Sequence, residues 1–575
     1  MSVTTWFDRE EILAALSKRL EGFLAGYRQN IALIGHEFTG KSTLLKRLLH
    51  ERLPLSPAVV PVYLEIQEGE SLPEWSERFV QTLFYGILQT DQTGNGAFPN
   101  DIAELKRLCS LRAPKTCSAA EKLLFQAQAG KLEEVYNRIW DLPCTATQET
   151  GVPCLLILDE FHRLEQFGVE DPFRRLGRKI MVQNTILYWV VSSQSQLARS
   201  ILQEGLSLLF GQFEILSIQP LEPPASLKAI RAQWPSEKGD PFLEHLLVEL
   251  AQGYPASLDL LLRGLTDRPV FEGLEDQERI FLDLLESLLL EPEGILRLRF
   301  ENRLRLLPPH SSRLGLIQIL GSVARGLHRI PEISHALNRP ASQVQRSLRV
   351  LERAGFLLKQ GSLYRIPDRL FHLWLLTAYP ILRGIGLTDR VQARVHFRDA
   401  AWSWMTRMRE ALCKPIEEQV AHLLKRWSGE SVEMEGRRTL LPEFKKVEHL
   451  FGPGSCRVIV AHRSGRSGTS WLVIPWTTPL EEGQARQLVH EIREWPFKYD
   501  RKVLLGAYPV DTNARLILQE ARLRLWDFQV LNLLLEMYGL ARIPPVAQWI
   551  SPRSSAISIL QQTSDESSRA QGRAG

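Results

Sequence analysis

The sequence is poor in cysteine and has no long apolar run, and each absence excludes a class of protein. Six cysteines are spread over 575 residues. None forms a C-x-x-C pair or has a histidine at the spacing of a zinc site, so a cysteine-based metal site is not expected. No stretch reaches the about 18 uninterrupted apolar residues of a membrane span, and the charged segment 1–11 lacks the apolar core of a secretory signal. We therefore expect a cytoplasmic protein with reduced thiols and no membrane partner.

The net charge is also small, at only +4. Any nucleic-acid site must therefore be a local cluster of basic residues. The apolar fraction of 44% supports packed cores, and a chain of this length is expected to form about three domains.

The most informative segment is a G-x-x-x-x-G-K-[ST] motif, the phosphate-binding P-loop. Its residues, with the one that follows, are Gly35, His36, Glu37, Phe38, Thr39, Gly40, Lys41, Ser42 and Thr43. A strand-like run at 30–34 precedes the motif and a helix-like run at 41–50 follows it, which is the setting the motif requires. Backbone N–H groups of such a loop bind phosphate oxygens. We expect Lys41 to reach the β- and γ-phosphates and Ser42 to hold Mg²⁺. The alternative is a glycine-rich turn without a ligand.

A second motif lies at 154–160, where an apolar run ends in Asp159 and Glu160. The run is typical of a strand buried on both faces of a parallel sheet. Asp159 is expected to bind Mg²⁺ and Glu160 to polarise an attacking water. The alternative is a buried strand that ends in two solvated acids. Together the two motifs predict binding of ATP or GTP with Mg²⁺, and hydrolysis would also need an arginine that the sequence does not place.

Strands that alternate with helices around these motifs predict an open parallel α/β sheet. Further strands are expected at 59–64 and 186–191, and an amphipathic helix capped by Asp8 precedes the P-loop. Ligands of such sheets bind at the carboxyl ends of the strands. The P-loop, the acidic pair and the polar residues 192–194 all fall at that edge.

With segments 7–11 and 190–193, these motifs resemble the archaeal-type ATPases of the AAA+/STAND group of P-loop NTPases, over roughly residues 5–380. The resemblance implies ATP bound between the core and a helical lid, with Arg9 near the adenine. It implies that Ser192, Ser193 or Gln194 acts as sensor 1, with Ser193 counted among the catalytic residues. It also implies that Pro255, in the G-x-P sequence 253–255, contributes to the site from the lid.

The resemblance further implies an arginine finger from a neighbouring subunit, and hence a homo-oligomer or a protein partner. Arg174, Arg175 and Arg178 are the candidates, and the alternative for each is a solvated helix face. The pair His36–Glu37 departs from the family, in which basic residues often occupy the P-loop.

A winged helix-turn-helix is predicted at 329–368. The expected elements are a helix at 331–337, a turn at 338–341, a second helix from Ser342 as N-cap to Ala354 with Gly355 as its stop, and strands at 356–359 and 363–366.

The second helix of this unit has two distinct sides. Val344, Leu348 and Leu351 form an apolar side. The opposite side carries the predicted contacts to double-stranded DNA, which are Gln343, Arg346, Arg349 and Arg353, and Lys359 near the wing is expected to touch backbone phosphate. The alternative is an internal latch or a protein contact with a solvated basic helix.

The segment 395–545 predicts a further α/β unit, whose order of elements is similar to the restriction-endonuclease-like domains of some archaeal-type ATPases. Such nucleases need an Asp on one strand and Glu-x-Lys on the next. The matching strand, 471–476, has no acid and no lysine, and Glu417, Glu418 and Glu443 cannot complete a two-strand metal site. We expect an inactive domain with a binding or scaffolding role, in which His462 and Arg463 contact phosphate or form a solvated turn.

The expected organisation is a P-loop core over 1–220, a helical lid over 221–305, a winged helix over 306–385, the nuclease-like unit over 395–545 and a disordered tail over 551–575. The predicted function is an ATP-dependent molecular switch that couples nucleotide state to DNA or partner binding. One alternative is a STAND-type signalling scaffold that turns over slowly and never contacts DNA, and a weaker one is an active nuclease.

Overall fold

The computed structural model describes residues 9–52, 59–90, 101–205, 213–234, 240–266, 274–308, 312–384, 389–434, 437–451, 457–463, 470–476, 478–494, 499–506, 510–540 and 542–543. The predicted cap Asp8, with residue 7 of segment 7–11, and the predicted tail lie outside these residues. The chain forms two compact units, Met1–Trp234 with Ala251–Arg263, and Pro235–Leu250 with Gly264–Gly575. In the described part of the chain, no helix combines the length and apolarity that crossing a membrane requires.

The first unit alternates strands and helices. Its elements are α1 (Glu10–Leu24), β1 (Asn30–Gly35), α2 (Lys41–Arg52), β2 (Val60–Glu65), α3 (Leu72–Gln89), α4 (Ile102–Cys109), α5 (Pro114–Gln128), α6 (Leu132–Ile139), α7 (Leu142–Thr150), β3 (Cys154–Asp159), a 3-10 helix (Phe161–Phe167), α8 (Pro172–Val182), β4 (Ile186–Ser192), α9 (Ser195–Ser200), a π-helical turn (Ile201–Gly205), β5 (Phe213–Ile218) and α10 (Pro223–Gln233). The start of α12 (Pro255–Thr266) also belongs to this unit.

The strands of the first unit form a parallel sheet with the order β2-β3-β4-β1-β5. Strands β1, β3 and β4 are buried along their whole length, which explains why they are continuous apolar runs rather than alternating ones. Alternate residues of β1 face two different cores: Ile31 and Leu33 pack with α1 and α2, while Ala32 and Ile34 pack on the opposite side with residues of α3. The predicted α/β fold is confirmed.

The second unit is mainly helical and ends in a second sheet. Its helices are α11 (Pro241–Ala251), α13 (Leu274–Leu289), α14 (Ile295–Arg305), α15 (Ser312–Ala324), α16 (Ile330–Leu337), α17 (Ala341–Arg353), α18 (Arg369–Thr377), α19 (Tyr379–Gly384), α20 (Arg390–Cys413), α21 (Ile416–Lys425), α22 (Glu482–Glu494), α23 (Thr512–Glu520) and α24 (Phe528–Met537). Its strands are β6 (Leu358–Gln360), β7 (Leu363–Arg365), β8 (Glu430–Met434), β9 (Arg437–Leu441), β10 (Phe444–Phe451), β11 (Arg457–Arg463), β12 (Ser470–Trp476), β13 (Arg501–Gly506) and β14 (Arg524–Trp526).

Helices α16 and α17 and the antiparallel pair β6–β7 follow the order predicted for a winged helix. Gly355, with φ of 72°, lies just past the end of α17 and stops it as predicted. The predicted cap Ser342 is wrong. Helix α17 begins at Ala341, one residue before the predicted start, with Pro340 as its N-cap and no side-chain cap bond. The extended backbone of Pro340 has the conformation of an N-cap residue, so the first helical turn starts directly after it.

The last sheet has the order β10-β11-β12-β13-β14, antiparallel from β10 to β12 and parallel from β12 to β14. A predicted α/β unit is therefore present at this end of the chain. The hairpin β8–β9 that precedes it was not expected from the sequence.

Candidate nucleotide-binding site

The P-loop follows β1 and curls back on itself. Phe38 and Gly40 have φ angles of 64° and 87°, a left-handed backbone that glycine adopts without strain. A Cβ atom on Gly35 would lie 2.4 Å from the carbonyl oxygen of Ile218 on β5, so this position requires glycine. The Thr39 hydroxyl donates to a carbonyl inside the loop, at 2.8 Å. The loop is therefore a preformed nest.

Lys41 points into this nest. Its side chain is buried, and Nζ donates to the carbonyl oxygens of Gly35 and His36, at 2.9 and 2.8 Å. Burial lowers the pKa of Lys41, and the nearby carboxylates of Glu160 and Asp159 act in the opposite direction. A charged ammonium held only by carbonyl groups can exchange them for phosphate oxygens.

The carboxylate of Asp159 is fully buried at the end of β3, where three donors hold it. Its Oδ2 atom accepts from the Ser42 hydroxyl at 2.6 Å and from the Tyr63 hydroxyl, and its Oδ1 atom accepts from the N–H of Glu160 at 3.0 Å. Burial, followed by the charge of Asp159, raises the pKa of Tyr63 strongly, so the phenol stays a donor. The predicted ion ligands Ser42 and Asp159 thus lie in direct contact.

Glu160 is fixed by the residues that follow β4. Its Oε2 atom accepts from the N–H and the hydroxyl of Ser193, at 3.1 and 2.8 Å. His162 lies beside both strands, with Nδ1 3.0 Å from the Ser192 hydroxyl and 3.3 Å from Glu160 Oε2. Burial lowers the pKa of His162, and the carboxylate of Glu160 acts in the opposite direction. Of the three predicted sensor residues, Ser193 is the one that binds the acid directly.

These groups open into a cavity of about 520 Å³, within the range of ligand sites. It is lined by Glu37, Phe38, Gly40, Lys41, Ser42, Thr43, Glu65, Glu160, Arg163, Ser193, Pro255, Ala256 and Asp259. The structure therefore brings together the P-loop, Glu160, Ser193 and Pro255.

The G-x-P turn places Pro255 at this cavity. Gly253 has φ of 72°, and a Cβ atom there would lie 2.0 Å from the carbonyl oxygen of Leu221. The N–H of Leu221 donates to the Gly253 carbonyl at 2.7 Å. The turn is therefore held against the segment before α10 by contacts that only glycine allows.

Arg9 lies behind the P-loop rather than in the open cavity. Its side chain is buried, and Nη2 donates to the carbonyl oxygens of Gln219 and Thr39, at 2.6 and 3.4 Å. It links the loop to the residues after β5, and its contact with the adenine remains a prediction.

Sequence reasoning missed Arg163, whose side chain lines the cavity and donates to the Ile66 carbonyl at 3.0 Å. It follows Glu160 by three residues, and its N–H donates to the carbonyl oxygen of Glu160 at 2.9 Å. Of the finger candidates on α8, Arg175 forms an ion pair with Glu133, while Arg174 and Arg178 are exposed one turn apart.

The predicted DNA-contacting residues Gln343, Arg346, Arg349, Arg353 and Lys359 are all exposed. The apolar side of α17 is fully buried, as its wheel predicts. Lys359 lies opposite Tyr364 in the hairpin, with Nζ 5.9 Å from the centre of the ring.

In the last sheet, both ring nitrogens of His462 already have protein partners, Ser470 at 2.8 Å and Glu448 at 3.2 Å. Within the described ranges, no three His, Cys, Asp or Glu side chains are grouped to hold a metal ion.

No protein-family model and no curated protein matches the chain. Among solved structures, a Walker-type ATPase of Pyrococcus abyssi is 19% identical with a TM-score of 0.41, over 64% of this chain and 95% of that one. The ORC2 protein of Aeropyrum pernix, in its ADPNP–ADP complexes, is 13% identical with a TM-score of 0.40, over 69% and 95%. AMPPCP-bound DnaA of Aquifex aeolicus is 15% identical with a TM-score of 0.28, over 59% and 87%. Similarities at this level do not decide the function, which must be argued from the site itself.

Proposed function

We propose that the protein binds ATP with Mg²⁺ in the cavity beside the P-loop, hydrolyses the ATP, and uses the nucleotide state to control contact with DNA or a partner. The observation that carries the proposal is the meeting of the two motifs. Ser42 Oγ lies 2.6 Å from Asp159 Oδ2 although 117 positions separate the residues. A glycine-rich turn without a ligand would not need a lysine aimed into it or two acids beside it.

The oxygen atoms of Ser42 and Asp159 suit Mg²⁺, which prefers a few hard oxygen ligands and takes the rest from phosphate and water. When bound, the ion neutralises charge that develops on the phosphates. Lys41 binds the β- and γ-phosphates after leaving the two loop carbonyls. Glu160 orients the attacking water, and Ser193 fixes the position of Glu160.

The first test separates binding from hydrolysis. Lys41→Ala should abolish ATP binding measured by calorimetry, because it removes the only buried ammonium of the described cavity. Glu160→Gln should bind ATP but lose turnover, because an amide cannot take a proton from water. Retained affinity in the first variant would remove the P-loop assignment, and normal turnover in the second would show that another base acts.

The second test concerns the partner, and compares turnover and binding with and without duplex DNA. Arg349→Glu should weaken DNA binding and reduce the dependence of affinity on salt, since one phosphate contact contributes a slope of about 0.9. Lys425→Glu changes the net charge equally at an exposed position of α21 and is the matched control. Equal effects of both variants would argue for non-specific electrostatics.

The STAND-type scaffold remains a second candidate because one observation favours it. The DNA-binding hypothesis assigns the hairpin β6–β7 to the phosphate backbone, but this hairpin packs against strand β8 of the same chain.

A further inference from the structure

The tip of hairpin β6–β7 lies against strand β8. The N–H of Ser362 donates to the carbonyl oxygen of Ser431, at 3.0 Å. Gly361 has φ of 66°, and a Cβ atom there would lie 1.8 Å from that same oxygen. Leu363 is buried in a core that it shares with residues of α21, β8 and β10. The hairpin is therefore packed against the segment from α21 to α24 with strands β8 to β14, which we call the last domain.

A buried carboxylate ties the far side of the hairpin to α24. Glu536 accepts from Arg365 at 2.7 Å and pairs with Arg369 at 3.0 Å. Burial acts to raise the pKa of Glu536, but the two arginines outweigh it and hold the pKa below its usual value. Removal of one partner from such a group is costly because the remaining charges stay buried.

A second cluster joins the start of α16 to the same domain. Arg329 forms an ion pair with Glu430 on β8, and the Tyr538 hydroxyl donates to Glu430 at 3.0 Å. The hairpin is fixed to this point, since the N–H of Tyr364 donates to the carbonyl of His328 at 3.0 Å.

Helix α17 differs from the hairpin in the exposure of its basic side chains. Arg346, Arg349 and Arg353 are exposed, so the basic side of the helix is open. Lys359 is exposed as well, but the hairpin β6–β7 that carries it, the wing, is held in place by the contacts above.

We infer that the last domain works as an intramolecular clamp that holds the wing in place, so that α17 makes the main contacts to duplex DNA until the clamp opens. The clamp itself rests only on the contacts above. Its consequence for DNA rests on the proposed function.

The clamp is tested in the full-length protein by hydrogen exchange of the peptide 358–366. Gly361→Ala should speed exchange about tenfold or more, which corresponds to about 1.4 kcal/mol of lost protection. Gly326→Ala is the matched control, because Gly326 also has positive φ, 96°, but a Cβ atom there meets nothing within 4 Å. Glu536→Gln should act in the same direction, with the exposed Glu520→Gln as its control. Exchange as slow in both variants as in their controls would overturn the clamp.

DNA binding tests the consequence. In the otherwise unchanged protein, Lys359→Glu should lower the affinity for duplex DNA less than Arg349→Glu does. In the Gly361→Ala background, the loss from Lys359→Glu should grow to match that from Arg349→Glu, because the freed wing reaches phosphate. An equal loss from Lys359→Glu and Arg349→Glu without the glycine substitution would contradict the inference. If no variant binds DNA, the proposed DNA coupling fails, and the exchange comparison alone decides whether the clamp exists.

Discussion

Tyr63→Phe is the substitution that tests the nucleotide site most sharply, because it removes one oxygen atom and leaves the ring in place. The lost hydroxyl donates to Asp159 Oδ2, the proposed ligand of Mg²⁺. The ring keeps its contact with Lys46, whose Nζ lies 5.1 Å from the ring centre. Any effect therefore reports the hydrogen bond rather than the packing.

The expected magnitude follows from the charge of the acceptor. A hydrogen bond to an ionised group contributes about 1.5–3 kcal/mol, and Asp159 is fully buried, so water does not replace the lost donor. If about 2 kcal/mol of the free energy that orients the carboxylate is lost, the equilibrium constant for Mg²⁺ binding falls about 30-fold. Residues that orient metal ligands typically change metal affinity or activity by about 10–100-fold, which agrees.

The assay is the Mg²⁺ dependence of ATP turnover at saturating ATP, together with thermal unfolding. Tyr63→Phe should raise the Mg²⁺ concentration for half-maximal turnover by about one order of magnitude or more and lower the melting temperature by a few degrees. Tyr27→Phe, at a side chain that is 80% exposed, is the control and should change neither. An unchanged Mg²⁺ requirement in Tyr63→Phe would refute the role of Asp159 as ion ligand.

Three further outcomes are expected. Gly253→Ala should destabilise the first unit and weaken ATP binding, because its Cβ atom collides with the Leu221 carbonyl. The control is Gly151→Ala, at a positive φ with no neighbour within 4 Å, which measures the cost of the backbone strain alone by denaturant unfolding. Equal losses of stability in the two variants would contradict the role of the turn. Arg163→Ala should lower the rate of ATP turnover per molecule at every protein concentration. An arginine finger supplied by a neighbouring subunit, Arg174 or Arg178, would instead make that rate rise with protein concentration. A rate that rises with concentration and is unchanged by Arg163→Ala would exclude Arg163 as the catalytic arginine. Burial, followed by the charge of Arg369, lowers the pKa of His372 from 6.5 to about 4, so the contribution of the neutral ring to stability is complete above pH 6.5 and is lost as the pH falls toward 4. Between pH 7 and pH 5, the free energy of unfolding should therefore drop by about 2 kcal/mol more in the unchanged protein than in His372→Gln. Parallel pH profiles of the two proteins would contradict this.

Much of the nucleotide site was predictable because its residues follow buried parallel strands, which are continuous apolar runs in the sequence. Strand β5 escaped prediction because it lies at the edge of the sheet and is only partly buried, so its pattern is mixed. Tyr63 could not be assigned a role, since its contact with Asp159 depends on the pairing of β2 with β3, and no local signal states which strands are neighbours.

The hairpin β6–β7 shows a different limit of sequence reasoning. The wheel of α17 correctly separated the buried side from the exposed side, because one helix with one apolar side must pack that side inward. The hairpin β6–β7 has no comparable asymmetry, and Arg365 is of a residue type that is normally solvated. It is instead paired with Glu536, 171 positions away. Buried ion pairs between distant segments leave no periodic trace, yet they decide which basic residues remain available for phosphate. The helical pattern of α17 therefore predicts how that helix packs, whereas the availability of each arginine depends on its partner in the fold.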